Sequence, residues 1–328
     1  VTGRNARGAT AALWTGLVMC GLALAGVVGG TALPDPAGAG AERAATADGP
    51  DCPPGTVARL AGPGADTAFD NGELTPEQAA RYNDQLREAL RSLRSHEIAP
   101  PRTVPVVVHV ISATDGRGDV SDARVRDQID VLNTAYSGGY DTDGADTGFR
   151  FTLSEVTRSE NDTWFADFNG HRDDIRAELR RGGAETLNIY TADLGSGLLG
   201  YSSFPQDHAA APDQDGIVLA HDTLPGGGRG RFGLGHTATH EVGHWLGLFH
   251  TFQNGCTTPG DYVGDTPYER GAAAGCPQGR DSCPHRGGRD PVTNFMDYSD
   301  DDCMTHFTEG QARRMAEHWA AFRSPHRP

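Results

Sequence analysis

At 328 residues the chain has room for roughly two domains, and 37% hydrophobic residues are enough to fill a core. The formal net charge of −16 argues against nucleic acid as a partner, because phosphate backbones are held by an excess of basic side chains. All 28 basic residues are arginine, which reads as composition bias and carries no functional content.

Arg4 and Arg7 precede an uncharged stretch with its apolar centre at Leu13–Val28, and the small residues Ala37-Gly38-Ala39 follow. This pattern predicts a signal peptide over residues 1–39 and therefore a secreted, extracellular protein. The same stretch is long enough to cross a bilayer, so an uncleaved N-terminal segment is the one route to a membrane. Residues 40–101 read as a linker and pro-segment containing one helix. Up to about Gly72 they are rich in Ala, Gly, Pro and Asp, a composition that buries too little apolar surface to order itself. Of six cysteines, Cys20 leaves with the signal and four cluster after residue 250, so Cys52 is the odd one. A thiolate is a strong zinc ligand, and Cys52 could block a zinc site downstream; an unpaired thiol in a tail is the equal alternative. Thr75 to His96 has the marks of a helix: Thr75 as N-cap, Pro76 in the first turn, Gln78 three residues after the cap, and a stripe of Tyr82, Leu86, Leu90 and Leu93. Pro100-Pro101 then marks a boundary.

A main domain spans residues 102–328. The β-branched run Val104–Ile111 suits a strand covered on both faces, with His109 as a hydrogen-bonded core residue. Ser121 caps a helix whose apolar positions are Val125, Ile129, Leu132 and Tyr136. Phe149, Phe151 and Leu153 alternate with polar residues as a strand, a helix follows from about Asp173 to Arg181, and Leu187–Thr191 and Ile217–Ala220 are further strands. Between these two lies a glycine-rich stretch, where Ser196–Ser203 could pair with an extended peptide. Alternating strands and helices predict an α/β (α+β) fold with an open, mostly parallel sheet.

From His240 the chain reads HExxHxxGxxH: His240, Glu241, His244, Gly247 and His250. On a helix, positions four apart lie about 40° from each other and about 6 Å along the axis, so two imidazoles can share one ion. A continuing helix would carry His250 roughly 240° away from His244. Gly247, which accepts the left-handed conformation, lets the chain turn and bring the third imidazole back. Three neutral imidazoles and a carboxylate are the equipment for activating water at zinc.

Residues 251–303 hold Cys256, Cys276, Cys283 and Cys303 among many Gly, Pro and Asp residues, so this part is irregular and depends on cross-links. Four cysteines allow three pairings, and spacing does not choose among them. A second zinc site from Cys276, Cys283, His285 and Cys303 is the competing reading. Thr308–Phe322 closes the domain as a helix.

The long histidine motif together with Asn294-Phe295-Met296-Asp297-Tyr298 resembles the metzincin clan. With GDYVGDTP at 260–267, NFMDYSDDDC at 294–303 and the four-cysteine segment, the chain is similar to the pappalysin (cytophagalysin) family of metallopeptidases. The resemblance covers roughly residues 102–323. It implies a twisted sheet with backing helices in an upper subdomain, 102–250, and an irregular lower subdomain, 251–328. It implies that His240, His244 and His250 bind Zn2+, that Glu241 is the general base, that Met296 lies beneath the metal and that Tyr298 assists the transition state. It also implies disulfides Cys256–Cys283 and Cys276–Cys303, and structural Ca2+ at Asp261, Asp265 and Thr266. Peptides or proteins would be the substrates. Asp300, Asp301 and Asp302 follow the methionine turn, and Asp302 matches a pocket-base aspartate in a relative, so it is expected to select Arg or Lys after the cut bond. Two other classes compete: a cell-surface binding protein stapled by zinc, which has no use for Glu241, and a non-peptidase zinc hydrolase, which needs a pocket for a small substrate.

Overall fold

The computed structural model describes residues 56–61, 73–93 and 102–324. The expectations for residues 1–39, Cys20 and Cys52 fall outside these residues. Among the described residues no helix is long and apolar enough to cross a membrane.

The described strands form one six-stranded sheet. In chain order they are β1 (Thr56–Leu60), β2 (Arg102–Ser112), β3 (Phe149–Glu160), β4 (Leu187–Ala192), β5 (Leu198–Ser203) and β6 (Ile217–Ala220), and their order across the sheet is β1-β5-β6-β4-β2-β3. The pairs β2·β3, β2·β4 and β4·β6 are parallel. β5 runs antiparallel to β6, and β1 runs antiparallel to β5. β2 lies between two strands, which explains its nearly unbroken apolar run: Val104, Val106, Val108 and Val110 are buried on one face and Ile111 on the other. His109 is buried and satisfied by Thr157 and Asn188 at 2.8 and 3.0 Å.

Helices cover both faces. α2 (Asp122–Tyr136) and α5 (His236–Trp245) bring Val125, Ile129, Leu132, Ala238, Val242 and Trp245 into the core with the β2 valines. On the opposite face α3 (Asp162–Ala166) and α4 (Phe168–Leu179) contribute Phe165, Phe168, Ile175 and Leu179 against Tyr190, Tyr201 and Val218. α4 begins five residues before the expected Asp173, because Asp167 caps it by accepting from the Gly170 amide. The last helix, α6 (Glu309–His318), starts at Thr308 with a reciprocal capping box to Gln311.

The region expected to be a linker and pro-segment with one helix contributes that helix and, in addition, a strand. β1 extends the sheet at its edge. α1 (Pro76–Ser92), capped by Thr75 and Gln78 as expected, places Ala79 and Tyr82 in an apolar cluster with Val57, Leu74, Phe204 and Phe249.

Candidate active site

α5 carries His240, Glu241 and His244, all buried. It stops at Trp245 because Gly247, at φ +94°, closes a Schellman motif: the Gly247 amide donates to His244 O at 2.8 Å and the Leu248 amide to Gly243 O at 2.9 Å. Space makes the same demand as backbone angle, since a Cβ at Gly247 would stand 2.2 Å from the His318 ring. The turn returns His250 to the helix, and the ligating atoms of His240, His244 and His250 lie within 4.8 Å of one another.

The electrostatics of this cluster fit a cation. His240 Nδ1 donates to Phe295 O at 2.7 Å and His244 Nδ1 to Leu248 O at 2.8 Å, so in both rings Nε2 carries a lone pair. Those lone pairs face each other: His244 Nε2 is 3.1 Å from Nε2 of both His240 and His250. Acceptors this close repel unless a positive ion lies between them. Burial depresses the basicity of all three rings and keeps them neutral, as ligation requires. Met296 is fully buried against α5, its sulfur 2.4 Å from where a Cβ on Gly243 would be.

Glu241 is buried beside the cluster, and burial raises its pKa well above the usual carboxylate range, opposed by Arg59. Its Oε2 has no hydrogen-bond partner among the described residues, and Oε1 accepts from the backbone amide of Arg59 at 3.2 Å. The Tyr298 hydroxyl donates to the carbonyl oxygen of Ala58. The Ala58–Arg59 peptide bond is therefore engaged at both ends, its oxygen by Tyr298 and its nitrogen by Glu241. β5 can pass this close to α5 because it has Gly200 opposite Arg59, where a Cβ would lie 3.1 Å from Glu241 Cγ and 3.0 Å from Thr237 Cγ2.

The side chain of Arg59 fills a pocket and is fully buried. Nη1 donates to Asp301 Oδ1 at 3.0 Å and to Thr237 Oγ1 at 3.2 Å, and Nη2 donates to Ser299 O at 2.8 Å. The guanidinium also lies 5.4 Å from the centre of the Phe232 ring. Asp301 is fixed from behind, its Oδ2 accepting from the amides of Leu234 and His236 at the start of α5. Asp302, expected as the pocket base, is exposed, and the buried carboxylate is its neighbour Asp301. Along this short turn Ser299, Asp301 and Cys303 are buried and Asp300 and Asp302 less so, and choosing within the run of three aspartates depended on a phase the sequence does not give. Arg59 itself went unrecognised because its surroundings have a linker's composition; the only sequence signal was the strand-like run TVARL.

The remaining expected site residues are divided. The disulfides Cys256–Cys283 and Cys276–Cys303 are both present, so Cys276, Cys283 and Cys303 do not make a second zinc site with His285. Asp261 is buried beside Thr266, and burial pushes its carboxyl up to about 7. Asp265 turns away to the start of α6, accepting from Thr308 Oγ1 and the Gly310 amide at 2.8 Å each. Among the described residues the three histidines form the one cluster of three or more His, Cys, Asp or Glu side chains suited to a metal.

Residues 189–320 match a family model described as Pregnancy-associated plasma protein-A, of peptidase family M43. Extracellular metalloprotease 1 of Coccidioides posadasii is 41% identical over 259 residues, covering 77% of this chain and 90% of that protein. An extracellular metalloprotease of Verticillium alfalfae is 44% identical over 229 residues, covering 68% of this chain and 79% of its own length. Among solved structures, promirolysin of Tannerella forsythia superposes with a TM-score of 0.64 at 29% identity, over 74% of this chain and 86% of that one. Mature mirolysin with a cleaved peptide gives 0.58 at 28% identity, over 69% of this chain and all of that one. With its histidine cluster, metzincin-like sheet and these relatives, the chain belongs to the pappalysin family of peptidases and is a metalloendopeptidase acting on peptides or proteins.

Proposed function

We propose that this protein is a secreted zinc endopeptidase that cuts on the amino side of arginine, with Glu241 as general base and Tyr298 as hydrogen-bond donor to the carbonyl under attack. The observation that carries this reading is the chain's own Ala58–Arg59 bond, seated with its carbonyl on Tyr298, its amide on Glu241 and its guanidinium on Asp301.

Zinc held by His240, His244 and His250 would supply Lewis-acid activation of water and of a carbonyl. The protein's own groups do the rest. Glu241 Oε2, without a partner among the described residues, is available to take a proton from water, and Oε1 already lies 3.2 Å from the nitrogen that must receive a proton to leave. Tyr298 supplies a donor to the oxygen on which negative charge grows. Antiparallel pairing with β5 fixes the substrate backbone, which favours an extended peptide over the small substrate of another zinc hydrolase. A structural zinc staple would have no use for a buried carboxylate placed at an amide nitrogen. Arginine is favoured over lysine because both ends of the guanidinium fork are used, by Asp301 and Thr237 on one side and Ser299 on the other, and a single ammonium cannot reach all three.

The test is digestion of a peptide library by the zinc-loaded protein. Arginine should be enriched immediately after the cut. Glu241→Ala should lose at least 100-fold in kcat while keeping one zinc per chain. Cleavage without that enrichment removes the specificity, and undiminished cleavage by the variant removes the assigned base.

A further inference from the structure

Resting on the reading above, we propose that Arg231 is a further specificity-determining residue, which holds the backbone of the third residue after the cut. Substrates must then extend at least that far, and proline is refused at that place.

With Arg59 as the first residue after the bond, Ala61 is the third. Both of its backbone groups are held: the Ala61 amide donates to Gly197 O at 3.1 Å, and the Ala61 carbonyl accepts from Arg231 Nη2 at 3.0 Å. The ladder with β5 ends at Leu60 opposite Leu198. A guanidinium therefore supplies a donor where the strand stops. A charged donor makes a stronger bond to a carbonyl than a peptide amide does.

The position of Arg231 is fixed from several sides. It lies in the tight turn Gly230–Phe232, which Gly230 enters at φ +60°. Arg231 O accepts from the Asp301 amide at 3.0 Å, which ties the turn to the pocket base. On the preceding residue, Arg229 pairs with Asp222 at 3.1 Å and donates to Leu198 O at 3.2 Å. The Arg231 side chain has Nε 3.5 Å from Asp300 Oδ1 and its guanidinium 4.9 Å from the centre of the Phe232 ring. The same ring lies 5.4 Å from the Arg59 guanidinium. Arg231 is 53% exposed, so it stands at the mouth of the arginine pocket and grips backbone without enclosing a side chain. The aspartate run thus serves two places on the peptide: Asp301 pairs directly with the first residue, and Asp300 positions Arg231 for the third.

The experiment uses zinc-loaded full chain and two peptides identical through arginine and the residue after it. The short peptide ends there as an amide; the long one carries two more alanines. The long peptide should have at least tenfold higher kcat/KM. In Arg231→Ala that ratio should fall below threefold, through a higher KM for the long peptide and little change in its kcat. Arg231→Lys, which keeps a charged donor without the fork, should fall between. Proline in place of the first added alanine removes the N–H given to Gly197 and should cost at least tenfold, whereas valine or glutamate there should cost less than threefold. An unchanged ratio in Arg231→Ala, an equal loss on both peptides, or full cleavage of the proline peptide overturns the clamp while the proposed function stands. If the unchanged protein cuts neither peptide, the function itself fails.

Discussion

Tyr298 reaches the Ala58 carbonyl because its ring is wedged among His240, His250 and Phe252, with centroids 5.7, 4.9 and 5.0 Å away. Packing fixes the ring and leaves the hydroxyl to act. Tyr298→Phe keeps the ring and removes only the donor, so kcat should fall roughly 100-fold with zinc content and KM little changed. A variant with full kcat would show that the residue serves packing alone. At this scale the sequence was most informative where a function demands a fixed residue type at fixed spacing. His240, Glu241, His244, Gly247 and His250 were legible because metal geometry and the helix period constrain each other. Arg59 and Thr237 were not legible, because a guanidinium and a hydroxyl mean nothing until the fold brings them together.

At the scale of elements, α5 is held at its far end by a buried clamp. Arg323 donates through Nε to Trp245 O at 2.8 Å, stacks 3.6 Å from the Trp245 ring centre, and pairs with both oxygens of Asp215 at 3.0 Å. Burial alone would raise the Asp215 carboxyl, but the charge and hydrogen bonds of Arg323, with His208 Nδ1 3.5 Å away, hold it well below the usual carboxylate range. A depressed folded pKa gives stability that is complete above the unfolded value of about 3.9 and is lost as pH falls further. Arg323→Leu should therefore cost about 3–5 kcal/mol at neutral pH by urea unfolding, because it leaves a carboxylate buried without its cation. The steep loss of stability below about pH 4 should flatten in the same variant, since Asp215 is then no longer held low. A cost under 1 kcal/mol would mean the pair is incidental. The helices and interior strands were readable in sequence because burial on one or two faces leaves a period. β1 was not, because five residues at a sheet edge beside an unpatterned stretch carry too little period to register, and what orders them, pairing with β5 and the contacts of Arg59, exists only once the chain is folded.

For the whole molecule, the order of residues 251–303 rests on covalent links more than on a core. Cys256–Cys283 and Cys276–Cys303 each span 27 residues and overlap in sequence, so each closes part of the other's loop. On loop closure alone each is worth about 3.5 kcal/mol. Tyr298 and Asp301 lie just before Cys303, so the carbonyl donor and the pocket base depend on those links, whereas the histidines on α5 and its turn do not. Reduction under native conditions should thus abolish binding of an arginine peptide while zinc stays bound, as read by anisotropy and metal analysis on one sample. Loss of zinc together with peptide would show that the two halves of the site are not separable in this way. The pocket itself gives the sharpest test of the account, through cleavage-site profiles of Asp301→Ala and Asp302→Ala against the unchanged protein. Asp301→Ala should lose the preference for arginine after the cut and Asp302→Ala should keep it; retention by the first variant, or loss in the second, would contradict the account.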